Sequence, residues 1–197
     1  GHRMLAALVG LMIFALAAWL WTVEPRPWVR RLGDAALGAV VIQALLGGLT
    51  VLLLLPPSVS IAHAALGQGV FCLVACVAWG TSPGWEPHPP RLDDARRPSL
   101  RALGISVAGL AATQLLLGAV IRHTGHAVVP HMATAFALAA ASAWLTVRVA
   151  PVRARAPAVW RGTRRLGLLT ACQVALGWLV FFHRGSVFLG TSHVAFG

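Results

Sequence analysis

The stretch QALLGGLTVLLLLPPSVSIAH, Gln43 to His63, shares its plan with QVALGWLVFFHRGSVFLGTSH, Gln173 to His193. In each copy Gln-x-x-x-Gly opens an apolar run, a short break follows, and a histidine comes twenty positions after the glutamine. A fixed internal repeat shows how a chain is organised before any single motif does. It predicts two related halves, each with one histidine at a matched place.

The composition points to a membrane. Of the 197 residues, 58% are hydrophobic and 11% are charged, and the mean hydropathy is +0.77. The apolar residues form runs of about 20, the length that crosses a bilayer as a helix. A net charge of +11 would suggest nucleic acid in a soluble chain. Here the charge is all arginine between apolar runs, so we predict an all-α, polytopic transmembrane helical protein whose partner is the lipid bilayer, with no nucleic acid.

Six full spans and part of a seventh are predicted. They lie at residues 2–23, 34–55, 60–80, 101–121, 130–150 and 165–182, and a short run begins at Gly190. Connections 24–33, 82–100 and 148–165 are long and rich in arginine, whereas 56–59, 122–129 and 183–189 are short and nearly uncharged. We interpret residues 1–81 as an N-terminal half, 82–100 as a linker and 101–197 as a C-terminal half.

The arginines orient the spans. Thirteen of the 16 lie on the side of the long connections, and the other three are Arg3, Arg122 and Arg184. By the positive-inside rule the arginine-rich side is cytoplasmic. We therefore expect the opposite helix ends to face outward from a bacterial plasma membrane, and we interpret His88 in the linker as a solvated loop residue.

Four histidines share the outward side. His2, His63, His131 and His193 fall near the outward ends of the first, third, fifth and seventh spans. A single such histidine is more often an interfacial or hydrogen-bonded residue, and His2 could also be the remnant of a purification tag. Four at one depth in two matched pairs favour a function, because ionisable groups in membranes tend to be paired or functional. Neutral imidazoles on facing helices are the axial ligands of a six-coordinate haem, so the pattern predicts two haem sites.

Other polar residues leave alternatives open. Arg3, Arg122 and Arg184 each adjoin a histidine, where a guanidinium can either clamp a haem propionate or reach the lipid headgroups. The repeated Gln-x-x-x-Gly at residues 43, 114 and 173 indicates hydrogen bonding between helices. The three cysteines (Cys72, Cys76 and Cys172) lie in apolar runs without a CxxC pair, so we expect buried, inert thiols.

Several motifs, in this order, resemble the heme A synthase family over nearly the whole chain. They are His2-Arg3 at a span start, QALLGGLTVL (43–52) followed by Ala62-His63, GAVIRHTG (118–125), Pro130-His131-Met132, and QVALGWL (173–179) followed by Ser192-His193. The resemblance implies two pseudo-symmetric four-helix bundle halves. It also leads us to expect a fragment that lacks the family's first helix and most of its last.

The family hydroxylates a methyl group of heme O twice and loses water, which leaves the formyl group of heme A for cytochrome oxidase assembly. The resemblance implies that His2 and His63 ligate the substrate haem and that His131 and His193 ligate an electron-transferring heme b. Arg3 and Arg122 are the candidate propionate contacts, and His123 would not be an axial ligand. The implied partners are heme O, O2, an electron donor, heme O synthase and oxidase assembly factors.

Two departures and two alternatives accompany this hypothesis. The family's catalytic Glu, three residues before the first histidine, falls outside the sequence, and the outer loop 122–129 has no cysteine pair. A di-haem b-type cytochrome that only transfers electrons would need the same four histidines. A small transporter or scaffold subunit would instead predict broken helices around a polar site at mid-membrane.

Overall fold

The described part of the chain is helical. The computed structural model describes residues 1–85, 92, 94, 96–183 and 185–197, and no strand occurs among them. The helices are α1 (His2–Val23), α2 (Pro27–Leu52), α3 (Pro57–Gly80), α4 (Leu100–Thr124), α5 (Val128–Val149), α6 (Pro157–Phe182) and α7 (Val187–Phe196), with a 3-10 turn at Ala150–Val152. Hydrocarbon offers no hydrogen-bond partner to the backbone, so apolar runs of this length fold as helices.

Helices α1 to α6 are long and apolar enough to cross a membrane. At most 17% of the most apolar window of any of them is buried inside the protein, whereas α7 has only ten residues. Large apolar side chains such as Leu52, Phe71 and Leu168 stand on the outer faces, where they meet lipid in a membrane. The predicted fold class is therefore confirmed: the chain is an integral, polytopic helical membrane protein.

The chain divides into two compact units, Gly1–Pro89 with Arg122–Thr124 and Pro90–Ile121 with Gly125–Gly197. In the first unit α2 packs against both α1 and α3. Two small cores join the three helices, and each takes one buried residue from every helix: Ile13, Ala36 and Val70 in one, Leu20, Val29 and Val77 in the other.

In the second unit α5 packs against α6, and α6 against α7. A core of four buried residues joins α4 to α5: Leu103, Val107, Leu145 and Val149. Helix α4 begins after Ser99, whose hydroxyl accepts a hydrogen bond from the Ala102 N–H at 3.2 Å, and ends at Gly125 in the left-handed conformation. The predicted loop 122–129 is thereby shortened to residues 125–127.

Two predicted connections are too long. Residues 24–33 and 148–165 were expected to be loops, but α2 begins at Pro27 and α6 at Pro157. Proline suits the first helical position, where a missing N–H costs nothing. Hydropathy marks only the stretch of a helix in hydrocarbon, so it misses turns whose arginines extend toward the headgroups.

Each unit has an ion pair near its arginine-rich helix ends. In the first unit Arg26 pairs with Glu24 at 2.6 Å and donates to the Gly80 carbonyl at 2.8 Å. The side-chain hydrogen bond from Arg26 lowers the pKa of Glu24 to about 2. In the second unit the buried Arg148 pairs with Asp94 at 2.6 Å and donates to Pro98 O at 3.0 Å.

The expectation of buried cysteines is wrong. Cys72, Cys76 and Cys172 are all exposed on the surfaces of α3 and α6. An apolar run does not distinguish the face of a helix that packs on protein from the face that meets lipid, because both are apolar. The interpretations of His88 and Arg184 concern residues that lie outside the described part.

Candidate functional site

His63 lies against the helix that precedes it. It stands in the second turn of α3, and its Cε1 is 3.1 Å from the position that a Cβ on Gly47 of α2 would occupy. The amide of Gln43, one turn before Gly47, donates from Nε2 to the His63 carbonyl at 2.9 Å. Gly67, one turn after His63, leaves the space that this amide fills. These contacts therefore join four residues of α2 and α3 into one cluster: Gln43, Gly47, His63 and Gly67.

The second unit of the chain contains the same arrangement. His193 of α7 has its Cε1 3.1 Å from the Cβ position of Gly177 on α6. Gln173 Nε2 donates to the His193 carbonyl at 2.6 Å, and the Gly197 N–H donates to the same carbonyl at 3.1 Å. The repeat seen in the sequence is thus a repeat of contacts, and the predicted hydrogen bonding between helices is confirmed at both glutamines.

His131 is held in a third, related way. Its Cε1 lies 3.4 Å from the Cβ position of Gly118 on α4. Gln114, one turn before that glycine, contacts the imidazole itself, with 3.1 Å between its Nε2 and His131 Nε2. The Thr134 hydroxyl donates to Gln114 Oε1 at 2.5 Å, which leaves the amide nitrogen toward the ring. Gln114 therefore acts on the His131 ring, whereas Gln43 and Gln173 act on backbone carbonyls.

The rings of His131 and His193 lie close together. Their centroids are 6.3 Å apart and their planes are 85° to one another. A metal ion between two imidazoles lies about 2 Å from a nitrogen of each, so axial ligands of one haem iron stand roughly 6 Å apart, centre to centre. The centroid spacing of this pair is that of a bis-histidine haem, the group implied by the family resemblance, while the rings here meet edge to face and His131 Nε2 faces Gln114.

The Nδ1 atoms of three histidines share one environment. Nδ1 of His63, His131 and His193 is buried and has no hydrogen-bond partner in the described part of the chain. Buried polar atoms are nearly always partnered, so three orphaned atoms on three matched histidines call for an explanation. Each of the three lies against a glycine of the neighbouring helix, 3.6 to 3.9 Å from the Cβ position of Gly47, Gly118 or Gly177, and that packing offers the nitrogen neither a donor nor an acceptor.

The other predicted site residues are not brought together in this way. His2 lies exposed in the first turn of α1, and within the described residues it has no ring contact with His63 comparable to that of His131 with His193. Arg3 and Arg122 are exposed at the ends of α1 and α4, and His123 is half-buried beside Arg122. The described residues also contain no group of three or more His, Cys, Asp or Glu side chains that could hold a free metal ion.

Sequence reasoning missed Gly118 and Gly197, which face His131 and Gln173. Gly67 and Gly197 each come four positions after a ligand candidate, and Gly118 faces His131. The signal was present as His-x-x-x-Gly at residues 63 and 193, which extends the repeat by one helical turn. Thr134, which binds Gln114, gave no such signal because it has no counterpart in the other copies.

Comparisons with known proteins identify the family of the chain. The family described as cytochrome oxidase assembly protein matches residues 1–130. A curated heme A synthase from Symbiobacterium thermophilum is 31% identical over 129 residues, which make up 64% of this chain. The matched region spans only 42% of the length of that relative. No solved structure matches the chain.

Proposed function

The chain belongs to the cytochrome oxidase assembly protein family, and on that premise we propose that it acts in the conversion of heme O to heme A. In this reaction a haem methyl group is hydroxylated twice and loses water to give a formyl group. The observation that carries the proposal is the His131–His193 pair, whose 6.3 Å spacing suits a haem iron. The name of the 31% identical relative, heme A synthase, supports it further.

The two histidine pairs have different roles in this proposal. His131 and His193 hold a heme b that passes electrons, and His2 and His63 hold the substrate haem. When bound, haem iron supplies the oxidative chemistry with O2, and the protein supplies binding, orientation and electrostatics. Arg3 and Arg122 are the proposed propionate contacts, because both are exposed at helix ends, Arg3 on α1 and Arg122 on α4.

In this proposal the main contribution of the protein is to hold the ligand histidines in place. The ring of His63 rests on Gly47 and its backbone is bonded to Gln43, so the imidazole is fixed before any haem arrives. Fixed ligands reduce the ordering that binding requires, which favours a single pose of the substrate. The same argument applies to His193 on Gly177 and Gln173.

We place the protein in a bacterial plasma membrane, with the arginine-rich ends in the cytoplasm and the histidines on the outer side. The count of 13 arginines against three supports this orientation. Heme O reaches a membrane site from the lipid phase, so heme O synthase and oxidase assembly factors are the partners we propose, together with an electron donor.

The test is to express the protein with a heme O synthase and to separate the extracted haems by reverse-phase chromatography. Heme A in the extract supports the proposal. Heme b without heme A supports a di-haem cytochrome that only transfers electrons, because that protein needs the same histidines. An extract without haem would overturn both.

A further inference from the structure

A glutamine that binds a histidine carbonyl recurs at both proposed haem sites. We call the four residues that make these contacts (Gln, Gly, His and Gly) the device. We propose that Gln43 and Gln173 are positioning residues, which with Gly47 and Gly177 fix the height and the ring orientation of His63 and His193. This inference rests on the proposed haem function, because it concerns how that haem's ligands are held. It assigns a role to residues that touch the ligand histidines but carry no metal-binding atom themselves.

The first step of the argument is the bond to the carbonyl. A carbonyl oxygen only accepts, so the amide nitrogen of Gln173 must face His193 O, at 2.6 Å. The same carbonyl accepts the Gly197 N–H of its own helix at 3.1 Å, so both of its lone pairs are used. In an apolar environment no water competes for either bond. The bond therefore fixes how far along α6 the histidine of α7 stands.

The second step is the close contact between each imidazole ring and a glycine of the preceding helix. His63 Cε1 and His193 Cε1 both lie 3.1 Å from a glycine Cβ position, which is tighter than nearly all real Cβ contacts. A methyl group at Gly47 or Gly177 would push the imidazole outward by a few tenths of an ångström. The glycine thereby limits how the ring can tilt, and the carbonyl bond limits how it can slide.

The third step is that the device is complete in both copies. Gly67 and Gly197 face the amides of Gln43 and Gln173, so a side chain at either position would displace the glutamine. Residues at four equally spaced positions make the same contacts in two separate helix pairs. Chance packing would not reproduce all four features together: the amide donor, the carbonyl acceptor, the glycine under the ring and the glycine beside the amide.

The third histidine shows that the device is selective. Gln114 stands one turn before Gly118, as the others do, but it contacts His131 Nε2 and not a carbonyl. Its separation from the histidine is 17 residues, against 20 in the two carbonyl-bound pairs. The carbonyl bond therefore depends on the spacing of the repeat and is not a general property of a glutamine near a histidine.

Ring orientation has a measurable effect on haem. The g-values of low-spin ferric haem respond to the angle between the axial imidazole planes, and groups around a ligand tune its metal. The main test compares Gly177→Ala and Gln173→Met with Gly162→Ala, a control on the same helix where a Cβ meets nothing within 4 Å. Gly47→Ala and Gly48→Ala form a matched pair on α2, because only Gly47 faces a histidine.

Each protein is purified in detergent with its haem, and two quantities are measured: haem per protein, and the low-temperature electron paramagnetic resonance spectrum. We expect Gly177→Ala and Gln173→Met to retain at least half of the wild-type haem and to shift the highest g-value, while Gly162→Ala matches the wild type. Wild-type g-values in both test variants would overturn the inference. Loss of haem with an unshifted spectrum for the remainder would also overturn it, since that result describes a purely structural role.

The remaining outcomes separate this inference from the proposed function. If Gly177→Ala does not accumulate, Gln173→Met and the Gly47→Ala and Gly48→Ala pair decide the question. Normal heme A formation with unshifted variant spectra refutes only the positioning role. A wild-type protein that binds no haem refutes the proposed function and this inference together.

Discussion

The imidazole of His131 stands perpendicular to that of His193, with 6.3 Å between the ring centroids. The two rings come from different helices and approach each other although neither helix backbone packs on the other. Each ring rests on a glycine of the preceding helix, Gly118 for His131 and Gly177 for His193. Their mutual position is therefore set by two separate helix pairs.

Removal of one member of this pair should remove one haem. We expect His193→Ala to lose the b-type haem, because a six-coordinate iron needs both imidazoles. The optical spectrum of the reduced protein is the measurement. His183→Ala serves as the control, since His183 is exposed beyond the end of α6, with its Nδ1 3.1 Å from Leu179 O of its own helix. A normal bis-histidine heme b spectrum in His193→Ala would refute the assignment.

The other proposed site should fail independently. We expect His63→Ala to abolish heme A formation and to leave the heme b spectrum intact, because His63 belongs to the first unit of the chain. Haem extracts and reduced spectra of the same membranes test both halves of this statement. Loss of heme b in His63→Ala, with His193 unchanged, would contradict the separation of roles.

A buried ion pair gives a prediction for stability. Arg148 has a 7% exposed side chain and pairs with Asp94. Removal of the carboxylate alone leaves the buried Arg148 charge without a counter-ion, whereas removal of both charged groups does not. We therefore expect the thermal midpoint in detergent to be lower for Asp94→Ala than for the double variant Asp94→Ala/Arg148→Met. The exposed Arg153 provides a neutral control, Arg153→Ala. An equal midpoint for the single and double variants would show that the pair is unimportant.

The pair of Glu24 with Arg26 predicts a pH dependence. The pKa of Glu24 is lowered from 4.5 to about 2 by the hydrogen bond from Arg26. A depressed carboxyl pKa contributes stability above the unfolded value, and that contribution is lost as the pH falls from about 4.5 toward 2. The difference in thermal midpoint between wild type and Glu24→Gln should therefore shrink over this range. A difference that stays constant down to pH 2 would contradict the assignment.

Two glycines of α3 differ in the space that surrounds them. A Cβ at Gly80 would lie 2.6 Å from Trp28 Cη2, whereas one at Gly69 would meet nothing within 4 Å. We expect Gly80→Ala to destabilise the protein by about 1–3 kcal/mol through overpacking. Gly69→Ala should be neutral or stabilising by roughly 0.5–1 kcal/mol, as alanine is the better helix former. Unfolding in detergent measures both, and equal effects would refute the contact.

The sequence was sufficient for the helices and for the expectation that glutamines form hydrogen bonds between them. Apolar runs of span length have few alternatives to a helix in lipid, so α1 to α6 followed directly from hydropathy. The repeated Gln-x-x-x-Gly also predicted hydrogen bonding between helices, and the structure shows it for Gln43 and Gln173. The helix starts at Pro27 and Pro157 could not be predicted in this way. Hydropathy detects only the part of a helix that lies in hydrocarbon, and both helices begin before that part.

Features that depend on three-dimensional packing were out of reach. Arg148 and Asp94 are 54 residues apart, and no local pattern joins them. The exposure of the cysteines depends on which helix face meets protein, which apolar residues on both faces conceal. The contact of Gln114 with the His131 ring depends on the relative height of α4 and α5, which the shorter spacing of 17 residues changes.

The contacts of Gln43 with His63 also bear on the order of events during synthesis. The partner helix of each half-buried histidine is the one made immediately before it: α2 for His63, α4 for His131 and α6 for His193. Each imidazole can therefore be seated as soon as its own helical hairpin leaves the translocation machinery. At the proposed heme b site His131 is then in place before His193, so a six-coordinate haem would bind only after the hairpin of α6 and α7 has been made, and insertion and haem loading would be consecutive steps.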